Sequence, residues 1–188
     1  MYTYSLTMEI YMKKPIIIML TGVFLVLILW PFSDKIAYYF LNKNSEMIQN
    51  KNNDLLFYKH SKNHTFADGY KVKLNTLENN DIKHIVAKSF KNTPEILRDY
   101  LGSAKLTEDE IIEKISRLEN INFFKVIEYN DNEVLLGEPG KEFFYLSYSI
   151  QTENEIKYLY LRSSTNYWYI SIIKPFHVYF MMSFLKFN

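Results

Sequence analysis

Phe143-Phe144-Tyr145-Leu146-Ser147-Tyr148-Ser149-Ile150 reads as a strand with two unlike faces. Side chains alternate across a strand, so Phe144, Leu146, Tyr148 and Ile150 point one way. Ser147, Ser149 and Gln151 point the other. An apolar, aromatic face beside a small, hydroxylic one suits an antiparallel sheet packed on one side. The segments on either side extend this pattern. Ile156–Arg162 and Tyr167–Ile173 read as further strands, with turns at Thr152–Glu155 and Ser163–Asn166. Phe123–Tyr129 and Glu133–Leu136 precede it, separated by the turn-prone Asn130-Asp131-Asn132. Glu138-Pro139-Gly140-Lys141 fits a type II turn, with Pro and Gly at its central positions. The last third of the chain is therefore expected to be an antiparallel meander.

Upstream of the meander the period changes from two to about 3.6. Asp81 is placed to cap a helix whose Ile82, Ile85, Val86 and Phe90 share one face. Thr93-Pro94 reads as the start of a second helix ending at Gly102. Thr107-Glu108-Asp109-Glu110 is a capping box, followed by Ile111, Ile112, Ile115 and Leu118 on one face. Ahead of these, Leu55–Tyr58 and Tyr70–Asn75 read as short strands. The loop between them, His60 to Gly69, is expected to close on the turn pair Asp68-Gly69. The fold class that follows is α+β: helices packed on an antiparallel, meander-like sheet, preceded by an N-terminal transmembrane helix.

That last element rests on Pro15-Ile-Ile-Ile-Met-Leu-Thr-Gly-Val-Phe-Leu-Val-Leu-Ile-Leu-Trp30-Pro31-Phe32-Ser33, a run without charge. Its nineteen residues would reach roughly 28 Å as a helix, close to the hydrocarbon thickness of a bilayer. Lys13 and Lys14 stand just before it, and no small-x-small cleavage site follows it. Trp30 and Phe32 suit the membrane–water interface. The segment is read as an uncleaved signal anchor, with Lys13, Lys14, Trp30 and Phe32 fixing its ends. The chain then divides into a short cytoplasmic tail over 1–14, the transmembrane anchor over 15–33, a helical linker over 34–53 and an extracytoplasmic α+β domain over 54–188. Met12-Lys13-Lys14-Pro15 also has the character of a translation start, which would shorten the tail to almost nothing.

Composition narrows the function. Beyond the anchor the chain carries 20 basic and 20 acidic residues, a balance unlike the basic excess of a nucleic-acid binder. There is no cysteine, so disulfides, thiolate metal sites and cysteine nucleophiles are excluded. Lys far outnumbers Arg and Asn is abundant, as in an AT-rich genome, and a cysteine-free exported domain fits a bacterial envelope.

No catalytic motif stands out. His60-Ser-Lys-Asn-His64 has the spacing of a helical metal pair, yet it falls between predicted strands and lacks a following Glu. His84 and His177 lie among apolar neighbours. There is no Gly-x-Ser-x-Gly elbow and no phosphate-binding glycine run. No catalytic, cofactor-binding or metal-binding residue is therefore assigned, and no cofactor or metal is expected. Tyr158, Tyr160, Tyr167, Trp168 and Tyr169 are the candidates for contact with a partner, because Tyr and Trp are enriched at interface hot spots. The aromatic tail Lys174–Asn188 is read as a final core strand or short helix, with a surface element touching the membrane or a partner as the alternative.

The function expected from these features is a single-pass, non-enzymatic protein-binding protein of the bacterial inner membrane. Its partners would be the lipid bilayer and another protein, and its C-terminal domain would face the periplasm or the exterior. An immunity protein against an envelope-acting toxin is one concrete form. A structural subunit of a secretion or division complex, and an unrecognised envelope enzyme, are the alternatives.

Overall fold

The computed structural model describes residues 22–24, 28, 45–47, 55–74, 81–95, 99, 106–121, 123–171 and 174–185. Seven strands form one sheet: β1 Ser45–Met47, β2 Phe66–Lys73, β3 Asn120–Ile121, β4 Phe124–Tyr129, β5 Glu133–Gly137, β6 Phe144–Glu153 and β7 Ile156–Thr165. Among the described residues, the helices that accompany them with both ends defined are α1 Leu56–His60, α2 Ile82–Asn92, α3 Glu108–Ser116 and α4 Lys174–Phe184. The strand order is β1-β2-β7-β6-β5-β4-β3, and every pairing is antiparallel. The stretch carrying α2 and α3 leads the chain from β2 to the far edge. The meander β3 to β7 then brings it back beside β2. The α+β class and the meander stand as expected.

The two faces of β6 fall as its alternation dictates. Leu146, Tyr148 and Ile150 join Tyr70, Val72, Val134, Leu136, Leu159 and Leu161 in the main core. Three helices cover this face. Asp81 caps α2 by accepting from the Lys83 amide at 2.9 Å, and Ile82, Ile85, Val86 and Phe90 are buried. The capping box of α3 is complete: Thr107 takes the Glu110 amide while Glu110 takes that of Thr107. Ile111 and Ile115 supply its buried face. The aromatic tail forms α4, whose Val178, Met181 and Phe184 are fully buried. Phe90 links the layers, its ring 5.9 Å from Phe124 and 5.3 Å from Phe184.

The opposite face carries α1 and a smaller cluster of Phe57, Leu135 and Tyr145. A bulge between Val126 and Glu128 inserts Ile127 into β4 and brings Ile127 against this cluster. Gly137 makes room for it: a β-carbon there would stand 3.0 Å from Ile127 Cγ1 and 3.2 Å from the Tyr145 ring.

Four local expectations change. Leu55–Tyr58 is not a strand; Leu56–His60 is helical, because its first amides are satisfied by Glu133 from β5. Asp68-Gly69 is not a turn but lies inside β2, opposite Ser163 and Arg162. The strand expected over Tyr167–Ile173 is absent from its described part, up to Ser171. β7 runs on to Thr165, and Trp168–Ser171 then turn as a 3₁₀-helix. Ser45–Met47, expected within a helical linker, pairs with β2 as an edge strand.

Thr93 closes α2, its hydroxyl bonding the Ser89 carbonyl at 2.9 Å, and most of the helix expected to follow it lies outside the described residues. The proposed anchor over 15–33 also lies outside them, apart from Gly22, Val23, Phe24 and Ile28, which are helical and exposed. Lys13, Lys14, Trp30 and Phe32 are outside as well. Among the described residues no helix is long and apolar enough to cross a membrane.

Candidate binding surface

The five aromatic residues singled out in the sequence separate into two groups. Tyr158 and Tyr160 are on the α1 face of β7, next to the hairpin joining β6 and β7. Tyr160 is buried and donates its hydroxyl to Glu153. Lys71 lies over the Tyr158 ring at 4.6 Å and bonds Glu153 at 2.6 Å. Burial, then that hydroxyl bond, pushes the Tyr160 phenol up. This group is an internally bonded polar and aromatic knot around the buried Tyr160.

Tyr167, Trp168 and Tyr169 are at the other end of the sheet, where β7 stops and β6 starts. Phe143, from the turn before β6, joins them. The rings of Phe143 and Tyr167 are 5.6 Å apart, those of Tyr167 and Tyr169 are stacked at 5.3 Å, and Trp168 meets Tyr169 edge-on at 6.1 Å. Trp168 is 77% exposed, Phe143 47% and Tyr169 41%.

Backbone bonds hold this ladder in place. The Phe143 carbonyl accepts from the Asn166 amide at 2.9 Å and from the Thr165 hydroxyl at 2.8 Å. The Tyr167 amide donates to Thr165 Oγ1 at 3.0 Å. The Tyr167 hydroxyl donates to Glu138, which keeps that carboxylate below the ordinary glutamate value, with Lys141 adding to the effect. The same bond, with burial, pushes the Tyr167 phenol up to about 12. A Tyr167 ring held this way loses little conformational entropy when something covers it, the property of an interface anchor, and the other rings stack on it or on each other. Phe123, 52% exposed, lies in the β3–β4 turn at the same end of the sheet.

Two polar clusters escape a sequence reading because their members are far apart in the chain. On the core face, Asp68, Ser163 and His177 meet. Ser163 Oγ donates to Asp68 Oδ1 at 2.5 Å. His177 Nε2 lies 2.9 Å from that hydroxyl and 3.2 Å from the same carboxylate oxygen. The residue types are those of a catalytic triad, but the arrangement is not. In a relay the acid holds one ring nitrogen and the serine gives its proton to the other. Here both sit on Nε2, and the serine proton goes to the carboxylate. Ser163 is also 1% exposed. The cluster ties α4 to β2 and β7.

On the α1 face, Glu133 is buried and accepts from the amides of Leu56 at 2.7 Å and Phe57 at 3.0 Å, and from Ser147 Oγ at 2.6 Å. Nearby Arg162 donates to Ser149 Oγ at 2.8 Å and lies over the Tyr160 ring at 4.5 Å. Its Nε is buried without a hydrogen-bond partner, and burial lowers the guanidinium pKa. One sequence signal could have marked it. In a chain with 19 Lys and 3 Arg, an Arg inside an aromatic strand marks a place that needs a planar, stacking cation.

His60 and His64 flank the Tyr145 ring at 5.6 and 5.1 Å. His60 bonds Glu128 at 3.1 Å. His64 bonds the Ser164 hydroxyl and the Glu142 carbonyl, each at 2.9 Å. His84 bonds Asp81 at 3.1 Å. Among the described residues no three His, Asp or Glu side chains gather as metal ligands. No protein-family model, curated protein or solved structure matches the chain.

Proposed function

We propose that this chain is a single-pass, membrane-anchored, non-enzymatic protein-binding protein of the bacterial envelope, and that the ladder Phe143, Tyr167, Trp168 and Tyr169 is its contact surface. The observation carrying this reading is the contrast between the two kinds of cluster. The two polar clusters are turned inward: Asp68, Ser163 and His177 are bonded to one another beneath α4, while Glu133 and Arg162 are buried on the α1 face and bonded to Ser147 and Ser149. The rings offered to solvent stand on a bonded frame, in which the Phe143 carbonyl and the Tyr167 amide and hydroxyl are all hydrogen-bonded. The charge-free run over 15–33 supports the anchor, as do the helical, exposed Val23, Phe24 and Ile28. An immunity protein that covers a toxin is one form this function takes.

The test is a crosslinked pull-down of the full-length chain from membranes, compared with Trp168→Ala. A stable protein partner lost in the variant is the expected result. No partner with either chain, or the same partner with both, overturns the assigned surface. Alkaline carbonate extraction tests the anchor separately: the chain stays with the membrane if 15–33 spans it.

A further inference from the structure

The direction of β1 gives the domain a polarity. β1 is antiparallel to β2, with Ser45 opposite Val72 and Met47 opposite Tyr70. Val72 in turn faces Leu159 of β7, close to the β6–β7 hairpin at Asn154-Glu155. β1 therefore starts at the hairpin end and runs toward the aromatic end. That far end is marked by Phe66 and Phe144, both paired with Thr165. From Leu159 to Thr165 the strand covers about 20 Å. The segment 15–33 precedes β1, so the shortest path from a bilayer reaches the domain at the hairpin end.

Charge around the ladder adds a second constraint. Lys141 is paired with Glu138 at 3.1 Å. Around them stand exposed Lys62, Lys125 and Glu142. Lys62 belongs to the turn whose His64 bonds the Glu142 carbonyl, and Lys125 pairs with Gly137. The rim thus carries a modest basic excess around an apolar centre, and such a rim steers toward acidic surfaces.

We infer that the aromatic end is the pole turned away from the bilayer, and that its occupant is the extramembrane face of another protein, apolar at its centre and acidic at its rim. This rests on the reading of 15–33 as an anchor and names the partner class of the same surface.

The test uses the full-length chain carrying Trp30→Phe, which leaves Trp168 as the reporter, in vesicles of phosphatidylcholine and phosphatidylglycerol. Aqueous iodide should quench Trp168, and lipids brominated in the acyl chain should leave it unchanged. A ring seated at the boundary of headgroups and acyl chains would instead be quenched by brominated lipid and shielded from iodide, which overturns the polarity while the anchor stands. Release of the chain by alkaline carbonate overturns the anchor and the polarity together. A photoreactive residue at position 169, used in native membranes, tests the occupant. The expected result is a protein adduct that weakens severalfold in the double variant Lys62→Glu, Lys125→Glu. A lipid adduct, an adduct with a second copy of the chain, or one indifferent to the charge reversal overturns the assigned occupant.

Discussion

The carboxylate of Glu133 on β5 caps the helix that carries Phe57, accepting the Phe57 amide at 3.0 Å and the neighbouring Leu56 amide at 2.7 Å. The N-cap position of α1 is Leu55, which has no side-chain acceptor to offer. A residue remote in sequence therefore satisfies the amides of this first turn that have no partner within the helix, where a negative charge is also favoured by the helix dipole. Glu133→Ala removes three bonds at once and leaves two buried amides without partners. It should cost about 2–4 kcal/mol, measured as a lower thermal midpoint of the full chain in detergent. A loss below about 0.5 kcal/mol would show that α1 holds its place without the cap.

Burial separates the two roles given to aromatic residues. Phe184 is fully buried against Phe90, Tyr148 and Phe180. Its carbonyl also accepts from Ser89 Oγ at 2.5 Å. Phe184→Ala should cost about 3–5 kcal/mol. Trp168→Ala should change stability by no more than about 0.5 kcal/mol while abolishing capture of the partner. Equal destabilisation by both changes would make the ladder part of the core.

Backbone conformation supplies a stabilising change. Asn154 and Glu155 form the β6–β7 turn with φ of 48° and 66°, the left-handed pattern of a two-residue hairpin. Asn tolerates this region, whereas Glu at the second position is strained. Glu155→Gly relieves the strain at some cost in chain entropy and should stabilise by about 0.5–1 kcal/mol. Chemical denaturation with an unchanged slope and a higher midpoint is the expected observation.

The Tyr167–Glu138 bond sets the pH range of the ladder. A carboxylate whose folded pKa is lowered, as that of Glu138 is, contributes stability above its unfolded value near 4.3. That contribution is lost as pH falls through the lower folded value. Tyr167 behaves in the opposite sense. Its contribution is complete below the ordinary phenol value near 10 and is lost as pH rises through about 12. In the Trp30→Phe chain, Trp168 emission should therefore stay level between about pH 5 and 10 and change beyond both limits. Glu138→Gln should remove the acid change and bring the alkaline one to lower pH. A transition near neutrality would assign the ladder's environment to a different group.

The legible parts of the sequence were those decided by near neighbours. The Thr107–Glu110 box and the Asp81 cap each lie within a few residues, and the alternation from Phe144 to Ile150 assigned both faces of β6 correctly. The rest was decided across the sheet. Leu55–Tyr58 is a short apolar run whose period does not separate strand from helix, and its helical form depends on Glu133. Asp68-Gly69 has the composition of a turn, but Asp68 is held in β2 by Ser163 and His177. The aromatic composition of Tyr158 to Tyr169 was visible as one tract. Its division into an internally bonded knot and an exposed ladder follows from where β7 ends, which Phe143 fixes by accepting from Asn166 and Thr165.

The most direct measurement is photocrosslinking of the full-length chain in native membranes, with the reactive group placed in turn at position 169 and at position 157. A discrete protein adduct from 169 and none from 157 is the result expected of a domain that binds through its aromatic end. An adduct from 157 alone would contradict that account.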